Sequence, residues 1–158
     1  MAVRIEKKLI LGENNIYDYG IGEDGDFIKD ESYDTDIVVS LYCDRRADVS
    51  EIPSPERRRG WHGDVDSTLQ DYLIGSKLWL LSQSRFTQET ANDAKKYAQD
   101  ALKWVTDKGI ADRVFVTSKR EDFNKIVVTI IFYVGNEIVF RSSYDIWKQS
   151  SFPVIQGA

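Results

Sequence analysis

The chain has 158 residues, of which 42% are hydrophobic and 30% charged, and its formal net charge at pH 7 is −5. This length favours one domain, and no stretch approaches the roughly 18 apolar residues that a membrane-spanning helix needs. The single cysteine, Cys43, excludes an internal disulfide, and the single histidine, His62, argues against a zinc cluster. The first residues lack a signal peptide's apolar stretch, so we expect a soluble, cytoplasmic, single-domain protein.

The charge is unevenly distributed. The first 43 residues carry ten acidic and four basic side chains, whereas the remaining residues carry a net charge of +1. Nine carboxylates lie between Glu13 and Asp36, where Lys29 is the only basic residue. Because such a segment repels phosphate, nucleic-acid binding is disfavoured. The segment is either a solvated acidic loop or a surface that meets a basic partner.

The first half of the chain predicts few regular elements. Residues 5–11 are typical of a short strand, and residues 12–36 of a long loop or a hairpin with poor strands. Aromatic side chains in this loop indicate that it packs against another part of the chain: Tyr17, Tyr19 and Phe27. Residues 37–43 are apolar and β-branched, which predicts a strand. The polar connection that follows, residues 44–64, contains two prolines that forbid a continuous helix.

The middle of the chain predicts helices. Asp66 or Ser67 is a candidate N-cap for a helix that Gly75 and Ser76 would kink or break. Thr87 is the N-cap of a longer amphipathic helix that ends before Gly109. The apolar positions of this longer helix follow helical spacing: Ala91, Ala94, Ala98, Ala101 and Val105.

Strands dominate the last third. A short strand at 114–116 precedes an apolar run at 126–134, whose continuity predicts burial on both faces. Gly135-Asn136 is a two-residue hairpin turn, after which residues 137–140 return antiparallel. The predicted fold class is α+β, a mostly antiparallel sheet with two helices packed on one face. We divide the chain into an acidic N-terminal region (1–36), a main domain (37–147) and a C-terminal tail (148–158).

The sequence contains no recognisable catalytic constellation. Gly20, Gly22 and Gly25 are spaced like part of a dinucleotide fingerprint, but no helix is predicted after them. His62 has Asp64 nearby, yet no Gly-x-Ser-x-Gly elbow supplies a nucleophile. Cys43 is interpreted as a small packed hydrophobe. We therefore expect no catalytic residues, no bound metal and no cofactor.

The connection at 44–64 is unusually rich in arginine. Five arginines lie here: Arg45, Arg46, Arg57, Arg58 and Arg59. The same connection contains Trp61 and four acids, Asp44, Asp48, Glu51 and Glu56. Arginine with tryptophan is typical of protein interfaces, and the accompanying acids favour salt bridges over nucleic-acid binding. The alternative is an intramolecular role, in which the arginines hold the loop against the helices.

Three motifs carry a family resemblance. They are Ser40-Leu41-Tyr42-Cys43-Asp44-Arg45-Arg46-Ala47, Arg59-Gly60-Trp61-His62-Gly63-Asp64 and Gly75-Ser76-Lys77-Leu78-Trp79-Leu80-Leu81. With the helix pattern after Thr87, they resemble the Mu-like phage baseplate protein family, which is related to the tail sheath initiators of contractile phages. The resemblance covers residues 36–147.

The resemblance implies a sheath-initiator-like fold and a structural protein rather than an enzyme. Family members lie in the baseplate of the virion tail, after assembly in the host cytoplasm, in six expected copies. The implied partners are other baseplate wedge proteins, the tail sheath protein and the tail tube or hub proteins, with no nucleic acid and no membrane. The sheet is thought to accept strands from sheath subunits.

We place the exposed sheet edge at 137–141, where apolar side chains lie between charged ends. The predicted protein interface comprises Arg45, Arg46, Arg57, Arg58, Arg59, Trp61, Asp64, Trp79, Ile138 and Phe140. Two other classes stay open: a lysozyme-like cell-wall hydrolase of the baseplate and, less favoured, a nucleic-acid-binding module.

Overall fold

The largest sheet is an antiparallel meander in the C-terminal half. The computed structural model describes residues 6–12, 16–30, 32–60, 74–147 and 154–155. The strands of the meander are β5 (Arg113–Arg120), β6 (Lys125–Val134) and β7 (Glu137–Trp147), with β6 in the centre. The earlier strands are β1 (Glu6–Lys7), β2 (Leu9–Leu11), β3 (Ile16–Tyr19) and β4 (Lys29–Asp30), and β8 (Val154–Ile155) follows the meander. The α-helices are α1 (Asp34–Tyr42), α2 (Gln88–Ala101) and α3 (Lys103–Asp107).

The central strand β6 alternates between two environments. Its core-facing side chains are fully buried: Ile126, Val128, Ile130 and Phe132. The residues between them are only half-buried, because α2 covers one face of the sheet. The prediction of burial on both faces is therefore wrong, whereas the α+β class and the hairpin turn at Gly135 are confirmed. β5 and β7 are longer than predicted, because their pairing with β6 continues through polar residues.

Helix α2 begins and ends largely as predicted. The Thr87 hydroxyl accepts a hydrogen bond from the Thr90 amide at 3.2 Å, and the Thr90 hydroxyl accepts one from the Thr87 amide, forming a capping box. The alanine stripe is buried, so the helix lies close to the sheet. A break at Leu102 separates α2 from α3. Gly109 follows α3 with φ +68°, a left-handed conformation that favours glycine.

The strand predicted at 37–43 is wrong, because this segment forms most of α1. Ile37, Val38 and Leu41 are buried on one helical face. Acidic side chains in the first turn favour the helix dipole. The Ser40 hydroxyl bonds the Asp36 carbonyl at 2.7 Å and accepts the Trp104 indole N–H at 3.0 Å. Tertiary packing thus overrides the β propensity of the run.

The N-terminal region contains hairpins that reach the core. β1 pairs with β4, β2 pairs with β3, and β8 lies parallel to β3. Leu9 and Tyr17 are buried in the main hydrophobic cluster, and the Tyr17 ring lies 5.4 Å from that of Tyr42. The expected packing of the aromatic residues is therefore confirmed for Tyr17. The division of the chain at residue 36 stays a prediction.

Two tyrosines connect α1 to β7. The Tyr42 hydroxyl donates to the Asp145 carbonyl at 2.8 Å, and the Tyr144 hydroxyl donates to Asp34 Oδ1 at 3.1 Å. Burial raises the pKa of both phenols above the usual range, so both remain neutral donors. These bonds hold the helix against the end of the sheet.

The helix predicted from Asp66 falls mostly on residues 61–73, which lie outside the described residues, as do His62, Trp61 and Asp64. The break predicted at Gly75 and Ser76 is present, and a 3₁₀ helix follows at Leu78–Gln83. Another 3₁₀ helix, Pro55–Arg57, lies within the arginine-rich connection. Most of the tail at 148–158 also lies outside the described residues.

The capping box of α2 makes a stability prediction. Replacing Thr87 by alanine removes the acceptor for the Thr90 amide, and we expect the free energy of unfolding to fall by about 1 kcal/mol. Urea unfolding followed by circular dichroism measures the loss. The control is Thr106→Ala, an exposed helical threonine that is not a cap. Equal losses for the two variants would contradict a capping role.

Candidate protein-interaction sites

The arginine-rich segment at residues 44–60, here called the arginine loop, is fastened at its base to Ser76. The Ser76 amide donates to the Cys43 carbonyl, and the Arg45 amide donates to the Ser76 carbonyl, both at 2.9 Å. The buried Ser76 hydroxyl also bonds the Leu41 carbonyl at 2.5 Å. These bonds join the end of α1, the start of the loop and the approach to the 3₁₀ helix at one crossing.

Gly75 makes this crossing sterically feasible. Its φ is +92°, and a Cβ at this position would lie 2.2 Å from the Cys43 carbonyl oxygen. No side chain fits such a distance, and the left-handed backbone disfavours non-glycine residues independently. The glycine is therefore required both by its conformation and by the close approach of the two chain segments.

Two arginines serve as donors to the loop's own main chain. Arg58 donates from Nε to the Ile52 carbonyl at 2.8 Å and from an η nitrogen to the Pro53 carbonyl at 2.9 Å. Arg46 donates to the carbonyls of Pro55 and Arg59, each at 3.3 Å. For these two side chains the contacts support the intramolecular alternative.

Arg59 lies between an acid and an aromatic ring. Its guanidinium forms an ion pair with Asp44 at 3.1 Å and lies 4.8 Å from the centroid of the Trp79 ring. Burial raises the pKa of the Asp44 carboxyl, although the Arg59 guanidinium acts in the opposite direction. The Trp79 indole N–H donates to the Arg45 carbonyl at 2.8 Å. The predicted residues Arg45, Arg59 and Trp79 are thus brought together, with Arg45 contributing its main chain.

Lys77 is a partner that the sequence analysis missed. Its ammonium group lies 2.6 Å from Asp48 and 2.9 Å from Glu51. Burial alone would lower the pKa of Lys77, but the hydrogen bonds and charges of the two carboxylates outweigh it, so the pKa is raised. The acids of the loop predicted salt bridges but not their partner. A lysine directly after Gly75 and Ser76 was the feature of the sequence that could have indicated it.

Beside the loop lies an open groove of about 690 Å³. Ile52, Pro53 and Trp79 contribute apolar lining, and the charged lining is mixed, with Arg57 and Arg59 beside the acids Glu51 and Glu56. The exposed Arg57 side chain makes no hydrogen bond or ion pair with the described part of the chain. Of the predicted arginines, Arg57 is therefore the one whose guanidinium has no partner among the described residues.

The second predicted site is the edge strand β7. Within the described strands it pairs only with β6. A register shift between Phe132 and Tyr133 places Val139 as an extra residue in β7, a β-bulge. Because of the bulge, two successive side chains, Ile138 and Val139, are both exposed. Phe140 is half-buried against Phe132, with ring centroids 4.9 Å apart.

The described residues contain no group of three or more histidine, cysteine or acidic side chains arranged to hold a metal ion. In the same part of the chain, no helix has the length and apolar character that crossing a bilayer requires. The described part of the chain is a small scaffold in which the arginine loop is fastened at Ser76 and the edge of the sheet at β7 is partly uncovered.

Comparison with known proteins relates this scaffold to a phage family. The sequence profile of phage protein GP46 matches residues 33–137. The chain belongs to this family. Baseplate protein gp46 of Escherichia phage Mu is 40% identical over 103 residues, which cover 63% of this chain and 69% of that protein. Mu-like prophage FluMu protein gp46 of Haemophilus influenzae is 34% identical over 102 residues, covering 65% and 68%.

The family match confirms the resemblance that the motifs indicated. It contains α1, the arginine loop, α2, α3, β5 and β6, and it ends at the first residue of β7. The hairpins at residues 6–30 precede it. The arginine loop and most of the large sheet therefore lie within the family region, whereas β1–β4 and most of β7 lie outside it.

The crossing at Gly75 gives a paired prediction. We expect Gly75→Ala to lower the free energy of unfolding by about 3 kcal/mol or more, because strained backbone and a steric clash add. Gly109→Ala is the control: its φ is also positive, but a Cβ there meets no atom within 4 Å. It should cost only about 1 kcal/mol. Chemical denaturation of both variants tests the difference, and equal losses would contradict the close approach.

Proposed function

We propose that the chain is a structural component of a phage tail baseplate, that it links the wedge to the tail tube, and that it initiates sheath assembly by accepting a strand along β7. The observation that carries the proposal is the eleven-residue edge strand β7, which pairs on one side only within the described strands. An unpaired edge offers main-chain donors and acceptors to an incoming strand.

Family membership supports the location. The relative from phage Mu is named a baseplate protein, and its similarity extends over most of its own length. We extend that location to this chain, in the virion tail after assembly in the host cytoplasm. Six copies would surround the tail axis, in contact with other wedge proteins, the sheath protein and the tube or hub. In this role the protein acts by binding and not as an enzyme.

The edge of β7 is not uniform along its length. Near its C-terminal end, the Tyr42 hydroxyl already uses the Asp145 carbonyl, and Tyr144 is tied to Asp34. At the hairpin end, residues 137–141, Ile138 and Val139 are exposed. The hairpin end is therefore the better place for an added strand to begin.

The bulge at Val139 adds selectivity to this edge. Bulges interrupt the regular ladder and protect edge strands from indiscriminate pairing. An incoming strand must match the extra residue or begin pairing beyond it. A partner whose side chains cover Ile138 and Val139 gains additional binding free energy from the buried apolar surface. The edge is thus suited to one complementary strand rather than to self-aggregation.

The wedge contact is assigned to the groove beside the arginine loop. Arg57 is exposed there, and Ile52 and Pro53 supply neighbouring apolar surface. A carboxylate on a wedge protein could accept a bidentate hydrogen bond from the Arg57 guanidinium. Arg46 and Arg58 hold the shape of the loop and contribute indirectly.

The strand proposal is tested with Val139→Lys. A lysine on the edge should hinder strand addition, and we expect sheath-protein binding to weaken about tenfold, measured by co-sedimentation of the purified proteins. The matched control is Phe115→Lys on the opposite edge strand, since Phe115 is 53% and Val139 54% exposed. Equal binding by both variants would refute strand addition at β7.

The wedge proposal is tested by comparing two neighbouring arginines. We expect Arg57→Ala to leave the free energy of unfolding unchanged but to weaken binding to purified wedge proteins about tenfold. Arg58→Ala should instead destabilise the isolated protein by about 1–3 kcal/mol, because two loop carbonyls lose their donor. Thermal unfolding and binding titrations on both variants separate the roles. Loss of folding in Arg57→Ala would assign that residue to the loop's interior structure.

A further inference from the structure

The N-terminal hairpins expose an unusual amount of apolar surface. Six large apolar side chains between residues 10 and 28 are at least 36% exposed: Ile10, Leu11, Tyr19, Ile21, Phe27 and Ile28. Three of them, Tyr19, Ile21 and Phe27, share one face of the paired backbone, and we call these three residues the hairpin surface. Single exposed apolar residues are ordinary in a soluble protein, but a contiguous group marks a surface that binds something.

The three side chains are contiguous, whereas Ile10 and Ile28 lie on the opposite face, where a Cβ added to Gly20 would lie 2.4 Å and 3.0 Å from their terminal methyl carbons. Tyr19 and Phe27 pack edge to face with centroids 5.8 Å apart, and Ile21 forms a β-bridge with Phe27. The group is therefore a built surface on paired backbone.

Acidic side chains border this surface. They are Asp18, Glu23, Asp24 and Asp26, all exposed. Asp18, Asp24 and Asp26 accept hydrogen bonds from nearby main-chain amides at 2.8–3.2 Å, which fixes these carboxylates in place. No ion pair within the described part of the chain neutralises any of the four. The Lys7 ammonium lies 3.9 Å from the centroid of the Phe27 ring and is one cation beside these four carboxylates. The surface thus combines apolar contact area with a surplus of negative charge.

We propose that the hairpin surface is a docking site for a second baseplate or tail protein whose contact face carries apolar side chains among lysines and arginines. Charge complementarity selects this partner. A second copy of the chain would bring two acidic borders together, and an anionic membrane would be repelled. The surface precedes residue 33, where the family match begins, so the site is distinct from the scaffold that the family match covers.

The test compares two exposed apolar residues in the whole protein. Ile21→Ser removes a side chain of the hairpin surface, and Phe123→Ser is the control, with exposures of 66% and 69%. Each baseplate and tail protein of the same phage genome is purified singly and titrated calorimetrically against both variants. One protein with a basic face should bind, with an affinity about tenfold lower for Ile21→Ser and unchanged for Phe123→Ser.

A charge arm completes the experiment. Glu23→Lys should weaken the same binding, Asp107→Lys, an exposed acid on α3, should not, and added salt should reduce the affinity of the unaltered chain. Binding by none of the proteins, equal effects of the paired variants, or a self-associated dimer lost in Ile21→Ser would each overturn the proposal. The inference rests on the proposed function only in that baseplate and tail proteins are the probes. The Val139→Lys test uses a different surface and the sheath protein, so the failure of one proposal can be distinguished from the failure of the other.

Discussion

The crossing of Gly75 and Ser76 over the end of α1 is the constraint on which the rest of the described family region depends. One buried serine bonds the Leu41 and Cys43 carbonyls and receives the Arg45 amide. The carbonyls at the end of α1 would otherwise lack helical partners. Satisfying them through a distant segment fixes where the arginine loop leaves the helix and where Trp79 lies beneath it. If water replaced these hydrogen bonds, the end of α1, the start of the arginine loop and the segment at Gly75 and Ser76 would no longer be held together.

The composition of the arginine loop follows from its backbone chemistry. Two prolines remove amide donors, so carbonyls in the loop cannot be satisfied by regular secondary structure. Arg58 and Arg46 supply the missing donors from their guanidinium groups, reaching the carbonyls of Ile52, Pro53 and Pro55. A run of arginines can thus be structural in an acidic protein. The exposed Arg57, within the same run, shows that sequence adjacency does not imply a common role.

The parts that sequence could predict are those whose signals are local. Thr87 and Gly109 mark the limits of the α2–α3 region by chemistry within one helical turn. The segment from Ile37 to Leu41 was wrongly predicted as a strand, because a short apolar run fits either a strand or a buried helix. Contacts with Trp104 and the sheet decide between the two. The interface composition of the arginine loop was readable, but its contact with Ser76 and Lys77 joins residues about 30 positions apart, which local spacing does not encode.

Helix α1 physically connects the two ends of the described chain. Thr35 accepts the Leu9 amide at 3.1 Å, and Tyr42 packs on Tyr17 on the hairpin side. Tyr42 also bonds β7 through the Asp145 carbonyl. Substitutions on α1 therefore disturb both regions together, and their effects on binding at the hairpins and at β7 will not be additive. Exposed residues at the two surfaces share no such partner, so only they can separate one interaction from the other.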